Sequence, residues 1–188
     1  MAKTSTKAKP TKGVTVLEFD TEAQKRREQE VAQETDAQIL ERLGERFQIL
    51  TDMTKAVKSG DVRAMIVSGP PGVGKSFGVE AVLEKDGLFD KIGERKPKYE
   101  IVKGAMSALG LYAKLYEYSD AKHVLVFDDC DSVLLDDLSL NILKGALDSS
   151  KKRTIAWNTD SRLLRSEGIP DKFEFKGAAI FITNIKFE

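Results

Sequence analysis

The run Gly69-Pro70-Pro71-Gly72-Val73-Gly74-Lys75-Ser76 fits the pattern G-x-x-x-x-G-K-[ST] at every fixed position. Glycines let a backbone wrap closely enough for successive N–H groups to point at phosphate oxygens, and a helix starting near Lys75 adds the positive end of its dipole. Lys75 offers a point charge to the β- and γ-phosphates of a nucleoside triphosphate, and Ser76 offers a hydroxyl to Mg²⁺. The nucleotide cradle is read as Gly69, Pro70, Pro71, Gly72, Val73, Gly74, Lys75, Ser76 and Phe77. The plain alternative is a glycine-rich strand-to-helix turn with a chance lysine. Its place between an apolar strand and a helix speaks against that.

Two further strands end in polar groups. His123-Val124-Leu125-Val126-Phe127 is apolar and runs into Asp128-Asp129. A carboxylate there can hold Mg²⁺ through water and its neighbour can orient an attacking water, so Asp128 is assigned with Ser76 to the metal and Asp129 to the water. Acidic residues that merely cap the strand are the alternative, since Asp131 also follows. The second strand is Ala179-Ile180-Phe181-Ile182-Thr183 followed by Asn184. Asn184 can reach the γ-phosphate or the water if its strand lies between the other two; otherwise it is an ordinary turn residue. Lys75, Asp129 and Asn184 form the candidate catalytic set.

These residues need a scaffold that brings strand ends together. Ala64 to Val67, Tyr99 to Val102, Val124 to Phe127 and Ala178 to Thr183 are β-rich runs, several of them apolar on both faces. Between them the spacing predicts helices: Phe77 to Lys85, stopped by Asp86-Gly87, then stripes at Ala108, Leu111, Tyr112, Leu115, Tyr116 and at Leu138, Ile142, Leu143, Ala146, Leu147. Such alternation argues for an α/β domain with a parallel sheet covered by helices. Upstream, Phe47, Ile49, Leu50, Met53 and Val57 mark a helix ended by Ser59-Gly60-Asp61. A separate, solvated helix is expected from Asp20 or Thr21 to about Leu43, preceded by a short strand at Val14 to Phe19. The expected organisation is a disordered basic tail over 1–13, an extension over 14–44 and the core over 45–188.

Composition narrows the class. Of 188 residues 41% are apolar and 32% charged, and no apolar stretch approaches the length that spans a bilayer. Thirty basic and thirty acidic residues cancel, so no global field draws the chain to nucleic acid. A single cysteine, Cys130, and a single histidine, His123, exclude an internal disulfide framework and a zinc site, and a reducing cytoplasm fits.

Together, Gly69 to Ser76, Val124 to Asp129 and Asn184 resemble the AAA+ ATPases of the P-loop NTPases: Walker A with a Gly-Pro-Pro-Gly start, Walker B and the sensor 1 asparagine, in that order. The resemblance covers about residues 45–188 and implies a sheet of order 5-1-4-3-2, ATP and Mg²⁺ as ligands, hydrolysis to ADP and phosphate, and ring-like homo-oligomers with nucleotide at subunit boundaries. It also implies that the segment before the first strand, Phe47 to Leu50, lies against the adenine; a core-facing stripe is the alternative. The style of the sequence is similar to AAA+ proteins of bacteriophages, which would place it in the host cytoplasm.

The family's Walker B usually ends Asp-Glu, and here the second carboxylate is Asp129, one methylene shorter, so slow hydrolysis is expected. The sequence stops four residues after Asn184. The fifth strand, the arginine finger and the helical lid are therefore expected to lie in a missing continuation or to be replaced. Val14 to Phe19 can cover the edge this leaves on Ala64 to Val67.

Arg153 to Trp157 and Phe173 to Phe175 alternate and read as a hairpin around a loop over 158–172, which resembles the pre-sensor 1 hairpin of one AAA+ branch. Arg162 and Arg165 in that loop can touch a phosphate backbone, serve a neighbour's nucleotide or be solvated. Lys103-Gly104-Ala105-Met106 is a second substrate-gripping candidate. Tyr112, Tyr116, Tyr118, Cys130 and His123 are read as packing, and Trp157 as packing on the sheet. The expected function is an ATP-hydrolysing motor or loader acting on nucleic acid or protein. A nucleotide-binding scaffold with little turnover and a small-molecule kinase are the alternatives, the kinase disfavoured by the Asp128-Asp129 strand and the later Asn184.

Overall fold

The computed structural model describes residues 35–93 and 95–185. The expected basic tail, the strand at Val14 to Phe19 and the start of the first helix lie outside the described residues. The chain divides into Met1–Leu43 and Gly44–Glu188. In the first unit Thr35 opens a helix with a reciprocal cap: its N–H donates to Gln38 Oε1 at 2.9 Å, and its hydroxyl accepts from the Gln38 N–H at 3.4 Å. That helix, α1 (Asp36–Ser59), continues into the second unit without a break at Gly44, where two helices were expected. A glycine costs a helix only about 1 kcal/mol, and its neighbours Glu41, Arg42, Leu43, Glu45 and Arg46 are mostly strong helix formers.

The second unit is built on four parallel strands, β1 (Ala64–Ser68), β2 (Tyr99–Lys103), β3 (Val124–Asp128) and β6 (Ala178–Thr183), in the order β1-β6-β3-β2. Between them in sequence come α2 (Lys75–Ile92), α3 (Ala108–Glu117), α4 (Asp131–Leu135) and α5 (Asp137–Ala146), then a separate antiparallel pair, β4 (Thr154–Ala156) and β5 (Lys172–Glu174), with α6 (Arg162–Ser166) in its loop. Strand alternation sorts the core into two layers. Leu125, Phe127, Ala179 and Phe181 meet Leu111, Tyr112 and Leu115 of α3 and Ile142, Leu143 and Ala146 of α5. Val124, Val126, Ala178, Ile180 and Ile182 meet Val57 of α1 and Val79 and Leu83 of α2. Every residue of β3 and β6 is buried, and Phe127 stacks on Phe181 at 5.0 Å. β1 pairs with β6 alone among the described residues, and its Ile66 is 53% exposed.

One local expectation is corrected. α2 does not stop at Asp86-Gly87 but runs to Ile92. Gly87 is there for a close approach, since a Cβ on it would meet the Tyr99 ring at 2.7 Å. Trp157 packs on Tyr112 of α3, with ring centroids 5.7 Å apart. The hairpin forms a sheet of its own and meets α3: Phe173 lies edge-on to Tyr112 and Tyr116, and the Tyr112 hydroxyl donates to the Pro170 carbonyl at 2.8 Å. Among the described residues no helix is long and apolar enough to cross a membrane.

Candidate functional site

Parallel pairing brings the C-terminal ends of neighbouring strands to one edge, where an open α/β sheet places its ligands. Ser68 stands beside Thr183 in register, and Asp128 beside both Ile182 and Lys103. Residues far apart in sequence thus meet through sheet order alone.

The loop between β1 and α2 turns on Gly72 and Gly74, with φ of +78° and +85°, a region that side chains rarely adopt. Phe47 of α1 packs against the loop and Leu50 against the first turn of α2: a Cβ on Gly74 would meet the Phe47 ring at 3.3 Å, and one on Gly78 would meet Leu50 at 2.8 Å. Leu50 packs partly buried on the core, whereas Ile49 is 62% exposed and the 40% exposed Phe47 ring lies beside the loop. Val73 and Phe77 are exposed.

Lys75 opens α2 and folds its ammonium back over the loop, donating to the carbonyls of Gly69 and Pro70 at 2.8 Å each and to Asn184 Oδ1 at 3.0 Å. Asn184 donates from Nδ2 to Asp129 Oδ1 at 3.2 Å and so bridges the lysine and the carboxylate. β6 does lie between β1 and β3, the placement that Asn184 requires. The Ser76 hydroxyl donates to Asp128 Oδ1 at 2.8 Å, and Lys103 Nζ is 3.3 Å from Asp128 Oδ2. Lys75, Ser76, Asp128, Asp129 and Asn184 form two linked clusters at one sheet edge.

Three features escaped the sequence reading. Asp129 has φ of +54° and is held there by its N–H donating to Ile182 O at 3.1 Å. Asp tolerates the left-handed region better than most residues, which is the one signal available beforehand. Asp131 accepts the Thr183 hydroxyl at 2.6 Å, which ties α4 to the end of β6 and keeps this third carboxylate out of the cluster. The Lys103 contact depends on strand register, which no local pattern shows.

Other candidates lie apart. Arg162 and Arg165 are on α6, Arg165 pairs with Asp160 at 2.6 Å, and neither arginine bonds to a residue of the cluster. Gly104 turns with φ of +87°, and Met106 packs partly buried on the core. Cys130 is buried, its thiol pushed up by desolvation and by Asp128 beside it. His123 stands edge-on to the Tyr118 ring at 5.9 Å.

The chain is 35% identical over 147 residues to an uncharacterized 36.7 kDa protein in the nrdC-mobD intergenic region of Enterobacteria phage T4. The match takes in 78% of this chain and 43% of that protein, so the chain spans less than half of its relative. No family model matches the sequence. No solved structure matches it significantly.

Proposed function

We propose that the cluster binds ATP with Mg²⁺ and hydrolyses it, and that residues 44–188 are a nucleotide-binding core of the AAA+ type. The observation that carries this reading is the meeting of the Ser76 hydroxyl with Asp128 at 2.8 Å, beside a loop whose lysine is bridged by Asn184 to Asp129. The order β1-β6-β3-β2 supports it, being the 1-4-3-2 neighbour sequence of that family. The residues also fit the metal: a hydroxyl and a carboxylate are hard oxygen ligands of the kind Mg²⁺ takes beside phosphate. The Lys103 ammonium near the same carboxylate marks a place suited to positive charge. When bound, Mg²⁺ neutralises charge on the β- and γ-phosphate oxygens.

The chain's own groups supply the rest. The loop N–H groups receive the phosphates, and Lys75 exchanges two carbonyl partners for a phosphate oxygen, a stronger charge-assisted contact. Asp129 orients the water whose oxygen bonds to the γ-phosphorus as the bond to the bridging oxygen breaks and ADP leaves with the electron pair. Asn184, already touching both Lys75 and Asp129, keeps that water and the γ-phosphate in line. By the same reading the core assembles into homo-oligomers and acts on nucleic acid or protein, with Arg162, Arg165 and Lys103 as candidate contacts, inside a phage-infected cell.

A scaffold that binds nucleotide with little turnover is the second reading, favoured by the short Asp129 carboxylate and its bond to Asn184. Phosphate release from Mg²⁺-ATP, compared with Lys75→Ala, separates the two. Release above the variant's background supports hydrolysis, and release equal to it with ATP still bound supports the scaffold.

A further inference from the structure

At the opposite end of the same strands is a cavity of about 170 Å³, lined by Arg63, Lys122, Arg153 and Lys176 together with Gly177 and Ala178. It opens where β1 and β6 begin, so a strand length of about 15–20 Å separates it from the ATP cluster. None of its four cations has a carboxylate within ion-pair distance among the described residues. Glu174 and Asp148 act on Arg153 and Arg63 only from further away.

The two arginines are fixed in place by carbonyls. Arg153, 8% exposed, donates from one terminal nitrogen to Ala146 O and Gly177 O at 3.0 and 3.1 Å. Arg63 donates from one terminal nitrogen to Asp148 O and Ser150 O. The remaining N–H groups of both forks have no protein acceptor among the described residues. Burial and then the neighbouring Arg63 lower the Arg153 guanidinium from its ordinary range, with Glu174 pulling the other way. Lys122 adds a second kind of observation. Its φ of +67° is a left-handed conformation that costs a lysine of the order of 1–3 kcal/mol, and such outliers concentrate at ligand sites. Lys122 also lines a neighbouring cavity with Lys58 and Lys98.

We propose that this cavity is an anion site that takes one phosphate group, held by the free N–H groups of Arg63 and Arg153 and by the ammonium groups of Lys122 and Lys176. Fork-shaped donors fixed beforehand suit a tetrahedral oxyanion. The volume holds one with a few waters, each of which occupies about 30 Å³ in the liquid. The phosphate comes either from a nucleic-acid backbone or from a small phosphorylated compound. This site is independent of the proposed ATPase chemistry.

The test is titration of the ¹⁵N-labelled chain with inorganic phosphate while amide shifts are followed, in wild type and in Lys122→Gly/Lys176→Ala. Glycine accepts the left-handed backbone and Lys176 is exposed, so the variant keeps the fold. Saturable shifts at Lys122, Lys176 and Gly177, with affinity at least about tenfold weaker in the variant, are expected. Shifts at 69–76 report the ATP loop separately. A labelled single-stranded oligonucleotide identifies the source. If the backbone is the ligand, the variant binds it more weakly and the log–log salt slope falls by roughly 0.7 per lost contact. Unchanged oligonucleotide binding alongside a weakened phosphate response assigns a small phosphorylated compound. Absence of saturable shifts at the three cavity amides, or equal response of the variant, overturns the proposal.

Discussion

Lys103 Nζ stands 3.3 Å from Asp128 Oδ2 while the other oxygen of that carboxylate accepts the Ser76 hydroxyl at 2.8 Å. One buried aspartate thus serves the last residue of β2 and the second residue of α2 at once. On the proposed reading, a metal ion held by Ser76 and Asp128 would share or displace the ammonium, which would link nucleotide state to the turn at Gly104 through this ion pair.

The first prediction follows from that competition. Lys103 is largely exposed, and such pairs are worth about 0–1 kcal/mol. Lys103→Met is expected to tighten Mg²⁺-dependent ATP binding by up to about fivefold, with no effect when Mg²⁺ is chelated. Calorimetry with and without the metal reads this, and weaker binding in the variant contradicts it.

The paired carboxylates are expected to separate in effect. Asp128→Asn weakens the Mg²⁺-dependent part of ATP binding, because it removes the charge that Ser76 and Lys103 now share. Asp129→Asn leaves binding intact and lowers phosphate release by about 10²–10⁴-fold, the usual contribution of a positioned acid–base group. Turnover at the wild-type rate in Asp129→Asn would return Asp129 to a loop-capping role.

Tyr112 carries a pH prediction for the hairpin anchor. Burial, and then the charge of Asp171, push its phenol from 10.0 up to about 12. The folded chain therefore holds this proton more tightly than the unfolded chain does. The stability it contributes is complete below about pH 10 and is lost as pH rises toward 12. Tyr112→Phe also removes the hydrogen bond to Pro170, at a cost of roughly 0.5–1.5 kcal/mol. Urea unfolding at pH 9, 10 and 11 should show lower stability in Tyr112→Phe at pH 9 and a shallower decline above pH 10. Tyr118, also pushed up by burial, retains part of the decline in both. Parallel declines in the two proteins would place Tyr112 outside the titration.

The readable part of this chain was whatever a short stretch decides for itself. Val124 to Phe127 and Ala178 to Thr183 are apolar on both faces and had to be central strands; they are buried at every position. Lys75, Ser76, Asp128 and Asn184 sit at strand ends or a helix start, so parallel pairing was enough to bring them together. What depended on register or on long-range contact was not legible. Lys103 meets Asp128 because β2 and β3 align them, and Asp131 binds Thr183 because α4 returns to the end of β6. Gly87 reads identically as a helix stop and as a close approach, and only the Tyr99 ring decides between them. Gly44 likewise breaks a pattern without breaking the helix, since the residues around it favour continuation.

The central claim is that the loop, Ser76 and Asp128 hold Mg²⁺-ATP, and calorimetric titration of the chain and of Lys75→Ala with Mg²⁺-ATP tests it most directly. Lys75 is the loop's only side-chain charge, and its contact with a phosphate is worth about 1.5–3 kcal/mol. The account predicts saturable binding of one ATP per chain in the wild type and affinity roughly 10- to 150-fold weaker in the variant. Absence of binding in the wild type, or equal affinity in the two proteins, contradicts it.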